Sequence, residues 1–339
     1  MGVIPFEPLT LFAVAVLALL LAGALAPLET LGWWAGWYGD RADEEPSDDA
    51  HDGAHTHLAE AGHASRFVVF LSGIDSVSDE PVPERQVRFL ERLQEALPRD
   101  SVVVQVFPYS VTNRALTGER LFARFWRWAL RRKMGQRRLD QIAGMLINFR
   151  NMWQVMVSAD RRYGPFYDRG TAALMVRALR RGGYRPGSGA PVVLIGYSGG
   201  GQVAVGATPF VHEALGAPVS VLSLGGVLAA DPGLLAAEHV VQIVGERDRV
   251  VWMGAILAPG RWPILPYSPW NEARRRGTLR TLVIGPCNHT GDDGYLDDSV
   301  HVADGRSYFD VTVDVLAALV RDPAGPAPVA TSGGVAAAG

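Results

Sequence analysis

From residue 66 onward, short apolar runs alternate with stretches of helical periodicity, and this alternation restricts the possible folds more than any other feature of the chain. Phe67 belongs to the first run, residues 67–71, a continuous apolar strand of the kind that is buried on both faces of a sheet. Further strands are predicted at 102–107, 192–196, 219–224, 240–244 and 279–284, and helices at 84–97, 167–181, 201–215 and 308–320. The alternation predicts an α/β fold with a mostly parallel central sheet and helices on both faces.

The other segments set the boundaries of this domain. We predict an anchor segment at 1–39, an acidic linker at 40–64, the α/β domain at 65–322 and a disordered Pro/Gly/Ala-rich tail at 323–339. Four histidines of the linker could bind a metal, but no folded frame fixes them, so we favour a solvated tether. Residues 111–163 interrupt the alternation, and we interpret them as an inserted helical cap. Residues 252–277, rich in Trp and Pro, form a second interruption.

The N-terminal segment has the composition of a membrane anchor. Residues 9–26 contain no charged residue and lie between Pro8 and Pro27. An α-helix of this length spans about 27 Å, close to the thickness of a bilayer core. Aromatic residues suited to a membrane interface follow at once, namely Trp33, Trp34, Trp37 and Tyr38. We predict a single-pass N-terminal anchor in a bilayer. The alternatives are a cleaved signal peptide, although no Lys or Arg precedes the run, and a buried core helix.

Charge and cysteine content exclude several classes of protein. The net charge is −3 and the pI is near 6.2, which argues against nucleic acid as a partner. Cys287 is the single cysteine, so an internal disulfide framework and a cysteine-based zinc site are both excluded. We predict neither a metal nor a cofactor.

The residues around Ser198 have the pattern Gly-x-Ser-x-Gly, from Gly196 to Gly200. The motif follows the apolar strand 192–196 and precedes the predicted helix 201–215, which is the context of a nucleophile elbow. A serine held at positive φ on such a turn brings the residues two before and two after it into contact, so glycine suits Gly196 and Gly200. The amide of Gly199 would begin a helix and could stabilise an oxyanion. The alternative is a glycine-rich packing turn with an idle serine.

A catalytic serine needs an imidazole as base and a carboxylate to orient that imidazole. Asp248 follows the strand 240–244, and His289 follows the last strand, 279–284, so both would lie at the carboxyl edge of the sheet. His301 is the alternative base, and Asp231, which follows the preceding strand, is the alternative acid. His212 and His239 lie within a helix and at a strand start, where we expect structural roles.

Residues 66–322 resemble the α/β-hydrolase superfamily, in particular its esterase and lipase-like members. The resemblance is carried by Ser198 in its elbow, by Asp248 in Gly245-x-x-Asp248-x-Val250, and by His289 after the last strand. It implies an eight-stranded sheet and a catalytic triad in the order Ser, Asp, His. Many relatives have His-Gly after the first core strand, where this chain has Ser72-Gly73-Ile74. The resemblance then implies Ile74 as the second oxyanion donor.

Two inserted stretches have the composition of surfaces that could contact a substrate or a lipid. Residues 120–138 contain eight basic residues and no acidic one, and as a helix they would place arginines opposite Phe and Trp. Such a helix suits a lipid headgroup surface or a cap that packs on the sheet domain. We expect Trp252, Trp262, Trp270 and Tyr267, with four prolines, to wall the pocket between acid and base.

These observations predict a membrane-anchored serine hydrolase that cleaves a small-molecule or lipid ester, with a preference for apolar acyl groups. A thioesterase, peptidase or acyltransferase could use the same triad, because one fold serves many reactions. A membrane-tethered binding protein on an inactive hydrolase scaffold is the alternative from a different class.

Overall fold

The computed structural model describes residues 56–57, 64, 66–74, 84–98, 101–109 and 138–326. These residues form one seven-stranded sheet with the strand order β1-β3-β2-β4-β5-β6-β7. The strands are β1 (Thr56–His57), β2 (Arg66–Leu71), β3 (Ser101–Val106), β4 (Val192–Tyr197), β5 (Val219–Leu224), β6 (Val240–Val244) and β7 (Leu279–Val283). Strands β2 to β7 are parallel, and β1 pairs antiparallel with β3 at the edge.

Helices cover both faces of the sheet. In chain order they are α1 (Glu84–Ala96), α2 (Arg138–Ala159), α3 (Gly164–Arg181), α4 (Gly199–Leu215), α5 (Gly233–Ala236), α6 (Arg249–Leu257), α7 (Pro269–Arg276) and α8 (Tyr308–Arg321), with a 3-10 turn at Pro259–Arg261. The core on one face contains side chains of α3 and α4, and the core on the other face contains side chains of α1 and α8.

The continuous apolar strands follow from burial on both faces. In β2, Phe67 and Val69 belong to the first core, whereas Val68 and Phe70 belong to the second. Successive side chains of a strand point to opposite faces, so a central strand with two cores needs apolar residues at every position. All residues of β4 and β5 are buried accordingly. The predicted α/β architecture with a mostly parallel sheet is confirmed.

Predicted and observed elements differ in two respects. The elements predicted from the alternation begin and end within three residues of their observed bounds. However, the eight-stranded sheet implied by the resemblance is not seen in the described residues, where six parallel strands and the short β1 form the sheet. Helices α5, α6 and α7 were also missed, the last two because the Trp- and Pro-rich stretch obscures their caps. Asp248 and Ser268 cap α6 and α7 by accepting backbone N–H bonds in their first turns.

Several predictions concern residues outside the described ranges. The predicted anchor at 9–26 and the basic stretch at 120–137 lie there, as does the tail from residue 327. Among the residues that are described, no helix has the length and apolarity needed to cross a bilayer. Within the predicted linker, Thr56–His57 forms β1, which the sequence did not indicate. The first residues of the tail contact the domain, where Arg280 donates to the carbonyls of Pro323 and Gly325.

Candidate active site

Ser198 lies on the turn between β4 and α4 with φ 52° and ψ −122°. Among the described residues it is the one non-glycine residue with positive φ. This conformation is strained for a residue with a Cβ and is found where the surrounding structure enforces it, often at functional sites. The turn lifts the Ser198 side chain away from its own backbone at the carboxyl edge of the sheet.

The two motif glycines allow the tight turn. A Cβ on Gly196 would lie 2.4 Å from the carbonyl oxygen of Gly200, and a Cβ on Gly200 would lie 2.7 Å from the carbonyl oxygen of Leu71. Both distances are far below van der Waals contact with backbone atoms that cannot move aside. The structure therefore requires glycine at both positions.

His289 lies on the loop after β7 and connects the serine to the acid. Its Nε2 is 2.9 Å from Ser198 Oγ, and its Nδ1 is 2.9 Å from Asp248 Oδ2. An ionised carboxylate only accepts hydrogen bonds, so the neutral ring carries its proton on Nδ1. Nε2 is then free to accept the proton of the Ser198 hydroxyl. The structure thus brings together the three residues that the sequence proposed.

Asp248 is buried at the start of α6 and accepts four hydrogen bonds. Oδ1 accepts the backbone N–H groups of Val250 and Val251, and Oδ2 accepts from His289 Nδ1 and the Tyr295 hydroxyl. Burial raises the pKa of this carboxyl, but the bonds from His289 and Tyr295 outweigh it, so the pKa is lowered from its ordinary value. The carboxylate is therefore held ionised despite its burial.

Tyr295 belongs to the site, although the sequence did not indicate it. Its hydroxyl donates to Asp248 Oδ2 at 2.5 Å and accepts the N–H of Gly245 at 2.8 Å. The side chain is fully buried. Burial, together with the bond to Asp248, raises the pKa of the phenol far above its ordinary range, so it stays a neutral donor. Its place in the sequence gave no signal, since it lies in a loop without periodicity.

Tyr197, the motif residue before the serine, positions the imidazole. Its hydroxyl donates to the carbonyl of His289 at 3.0 Å, and its ring stacks on the imidazole with a centroid separation of 6.1 Å. The other side of the loop is braced by Asn288, which bonds to the side chain and the carbonyl of Asp293. The His289 loop is therefore fixed by groups on both sides.

Gly199 and Ile74, the predicted oxyanion donors, lie next to each other. A Cβ on Gly199 would be 2.8 Å from the Ile74 side chain. Gly199 is the first residue of α4, so its N–H belongs to the helix end that has no intrahelical acceptor. The carbonyl of Ile74 accepts a bond from Asn151 at 2.7 Å, and Tyr109 donates to the carbonyl of Ser72 at 2.8 Å. These contacts hold the loop after β2 against the elbow.

Gly225, at the end of β5, leaves room for Asp248, His289 and Tyr295. Its φ is 61°, and a Cβ there would lie 2.7 Å from the Tyr295 ring and 3.3 Å from both Asp248 Oδ2 and His289 Cε1. A side chain at this position would push directly on these three residues.

We expect Gly225→Ala to lower kcat/KM about a hundredfold, because displacing catalytic groups by about 1 Å has this effect. Gly216→Ala is the matched control, since Gly216 has φ 62° and no neighbouring atom lies within 4 Å of the position that its Cβ would occupy. Both variants should lose about 1–2 kcal/mol of stability from the left-handed backbone. Gly225→Ala should lose a further ~1–3 kcal/mol from crowding of the buried Tyr295 ring, and it alone should lose activity. Steady-state kinetics and thermal unfolding measure the two effects. Equal activity in the two variants would contradict the proposed crowding.

The alternative base and acid lie elsewhere. His301 is exposed, with its Nδ1 3.1 Å from the carbonyl oxygen of Ser299. Asp231 accepts from Gln202 and from the N–H of Gly233. It lines a separate cavity of about 890 Å³ whose lining includes neither Ser198 nor His289. His212 bonds the carbonyl of Ala217 at the end of α4, in agreement with a structural role.

The predicted aromatic wall between acid and base is not seen. Trp270 is buried in the core on one face of the sheet, under the guanidinium of Arg261. Trp252, Trp262 and Tyr267 are exposed. The prediction was wrong for Trp270, because apolar composition indicates a preference for burial, whereas the packing of α7 places this ring in the core.

No family model and no curated protein matches the chain. Among solved structures, the chain is similar to a dienelactone hydrolase from Anabaena variabilis ATCC 29413. The match has a TM-score of 0.43 and 14% sequence identity, and it covers 78% of this chain and 88% of that one. At this level of similarity, a function has to be inferred from the geometry of the site itself.

Proposed function

We propose that this chain is a serine hydrolase that cleaves carboxylic esters, with Ser198 as nucleophile, His289 as general base and Asp248 as the acid that orients it. The observation that carries the proposal is the continuous hydrogen-bond chain from Ser198 Oγ through the imidazole to Asp248 Oδ2, which starts from a strained turn. A glycine-rich packing turn with an idle serine would have no need of a base and acid aligned on its hydroxyl.

In the first half of the reaction, Ser198 Oγ attacks the ester carbonyl carbon while its proton passes to His289 Nε2. The carbonyl oxygen becomes an oxyanion, which the N–H groups of Gly199 and Ile74 stabilise. Asp248 stabilises the imidazolium through Nδ1. The tetrahedral intermediate then expels the alcohol, which takes the proton from Nε2, and the acyl group remains on Ser198.

In the second half, water replaces the alcohol. His289 Nε2 takes a proton from the water, whose oxygen attacks the acyl carbon and forms a second oxyanion at the same donors. When this intermediate collapses, Ser198 Oγ recovers the proton from Nε2 and the carboxylic acid leaves. Water is the only co-reactant that these steps need.

We propose further that the substrates are lipid-like or carry apolar acyl groups, and that the chain is anchored in a membrane by residues 9–26. The support is compositional: the uncharged N-terminal run, the basic and aromatic residues at 120–138, and the apolar stretch after Asp248. Model esters of increasing acyl length test the preference. Highest kcat/KM for acetyl esters would contradict it. Ester, thioester and amide substrates that share one acyl group, each assayed with and without an alcohol as acceptor, then distinguish esterase, thioesterase, peptidase and acyltransferase activity.

Labelling with a fluorophosphonate probe tests the nucleophile. The probe should label the wild-type chain and fail to label Ser198→Ala. Ser188→Ala is the matched control and should leave labelling intact. Ser188 lies in an exposed turn before β4, at the amino ends of the parallel strands and away from Ser198. Unchanged labelling of Ser198→Ala, or no labelling of the wild-type chain, would favour an inactive binding scaffold.

A further inference from the structure

Exposed apolar side chains are concentrated on one segment of the described chain. Of the large apolar residues that are exposed there, all but Met156, Leu235 and Val283 lie between residues 252 and 267. The most exposed of them are Trp252 (68%), Leu257 (69%), Ile256 (72%), Ile264 (77%) and Tyr267 (89%). Contiguous apolar surface of this kind is rare on a soluble monomer and marks a site of interaction.

The segment has a defined conformation, so its exposure is not the result of a loose loop. Trp252, Met253, Ile256 and Leu257 share one side of α6, at the spacing i, i+1, i+4 and i+5. The loop that follows is tied to this helix by the bond from Trp262 Nε1 to the carbonyl of Ala255, at 2.8 Å.

The loop is also tied to the next helix and to the core. Asn271, in α7, donates to the carbonyls of Trp262 and Leu265. Arg261 stacks on the buried ring of Trp270, with 3.9 Å between the guanidinium carbon and the ring centroid. These contacts present the apolar side chains outward on a rigid support.

The charges at the ends of the segment are predominantly positive. The sequence has no acidic residue from Arg249 to Asn271. Arg247 and Arg249 precede the segment and three exposed arginines, at 274–276, follow it. Of the flanking acids, Asp248 is buried and bonded to His289 and Tyr295, Glu246 adjoins Arg247, and Glu272 is paired with Arg275 and Arg276. An apolar centre with Trp and Tyr and a cationic rim is complementary to an anionic lipid headgroup layer.

We propose that residues 252–267 form a membrane-contact surface that inserts into the headgroup layer of an anionic bilayer. The surface begins immediately after Asp248, whose carboxylate caps α6. Contact with lipid would therefore turn the carboxyl edge of the sheet, and with it Ser198, toward the bilayer. The surface does not depend on the proposed catalysis, and its test needs no turnover.

A polarity-sensitive fluorophore on Ile264→Cys, in the full chain reconstituted into vesicles, tests this surface. The native Cys287 is buried and its pKa is raised to about 12 by burial, so it should not compete for the label. The control carries the same label on Ser188→Cys, at the opposite edge of the sheet. The vesicles contain phosphatidylcholine alone or with phosphatidylserine, and brominated acyl chains serve as the quencher.

We expect the label at 264, but not at 188, to shift its emission to the blue and to be quenched in vesicles with phosphatidylserine. Added salt should weaken the quenching, because it screens the arginine rim. The proposal is overturned if the two labels respond alike, or if quenching is equal in neutral and anionic vesicles. It is also overturned if the label at 264 is already in an apolar environment without lipid, which would indicate cover by the chain itself. A blue shift that depends on protein concentration alone would indicate a second copy and overturn it as well.

Discussion

Replacing Ser198 or His289 by alanine is expected to lower kcat by about a millionfold, and the double variant should lose no more than either single variant. The physical reason is the shared proton. Ser198 Oγ and His289 Nε2 are 2.9 Å apart, and the hydroxyl becomes a nucleophile only as its proton moves onto the ring. Removing one partner leaves the other without a function, so the second substitution has nothing further to remove.

Single-turnover and steady-state kinetics with a chromogenic ester measure the three variants, and thermal unfolding checks that each is folded. Ser188→Ala, in an exposed turn, should keep wild-type kinetics. The residual rate should remain about a thousand- to ten-thousandfold above that of water, because Gly199 and Ile74 would still bind the oxyanion. If the double variant falls well below both single variants, toward the rate of water, the two residues act independently and the proposed proton path is wrong.

The sheet and the elbow were predictable because their signals are local. An apolar run as short as residues 192–196, followed by glycines, is typical of a buried strand. The glycines at 196 and 200 follow from the tightness of the turn at Ser198. Asp248 and His289 were identified from their positions just after strands, since the loops after parallel strands all emerge at one edge of the sheet.

The remaining parts of the site depend on tertiary closure. The hydroxyl of Tyr295 meets Asp248 because the loop after β7 folds back over β6, and no local pattern around residue 295 indicates this. Gly225 must be glycine because it faces three side chains from distant parts of the sequence. Trp252 and Trp270 have the same composition-based preference for burial, yet one is exposed and the other lies in the core. Only the packing of α6 and α7 separates them.

Asp248→Asn is expected to lower kcat about ten-thousandfold while leaving the fold intact. An amide is similar to the carboxylate in size, and its oxygen can still accept the backbone N–H groups of Val250 and Val251. Its NH2 group, however, would donate to His289 Nδ1, so the ring proton would move to Nε2. A protonated Nε2 can no longer accept the proton of Ser198. A rate near that of wild type would show that Asp248 does not set the tautomer.

Tyr295→Phe keeps the carboxylate and should change its titration instead. The hydrogen bond from the phenol stabilises the ionised form of Asp248. Without this bond, the pKa of Asp248 should rise toward its ordinary value of 3.8. The titration of the Asp248 carboxyl, followed by its infrared band, should therefore move to higher pH. A carboxyl whose pKa is lowered on folding stabilises the folded state at pH values above its pKa in the unfolded chain. This stabilisation is lost as the pH falls through its pKa in the folded chain. The variant should show less of that contribution at neutral pH.

The same variant also leaves the buried N–H of Gly245 without its acceptor, at a cost of about 1–3 kcal/mol. Tyr184→Phe is the matched control, since the hydroxyl of this buried tyrosine donates to a backbone carbonyl, that of Ala190, on the opposite edge of the sheet. It should leave the titration of Asp248 unchanged. Urea unfolding at neutral and acid pH, with the infrared titration of both variants, separates the two roles of Tyr295. If Tyr295→Phe loses stability without moving the titration of Asp248, the phenol supports the loop and does not lower the pKa of the carboxyl, and the hydrogen bonds from His289 and the backbone are then sufficient to keep Asp248 ionised.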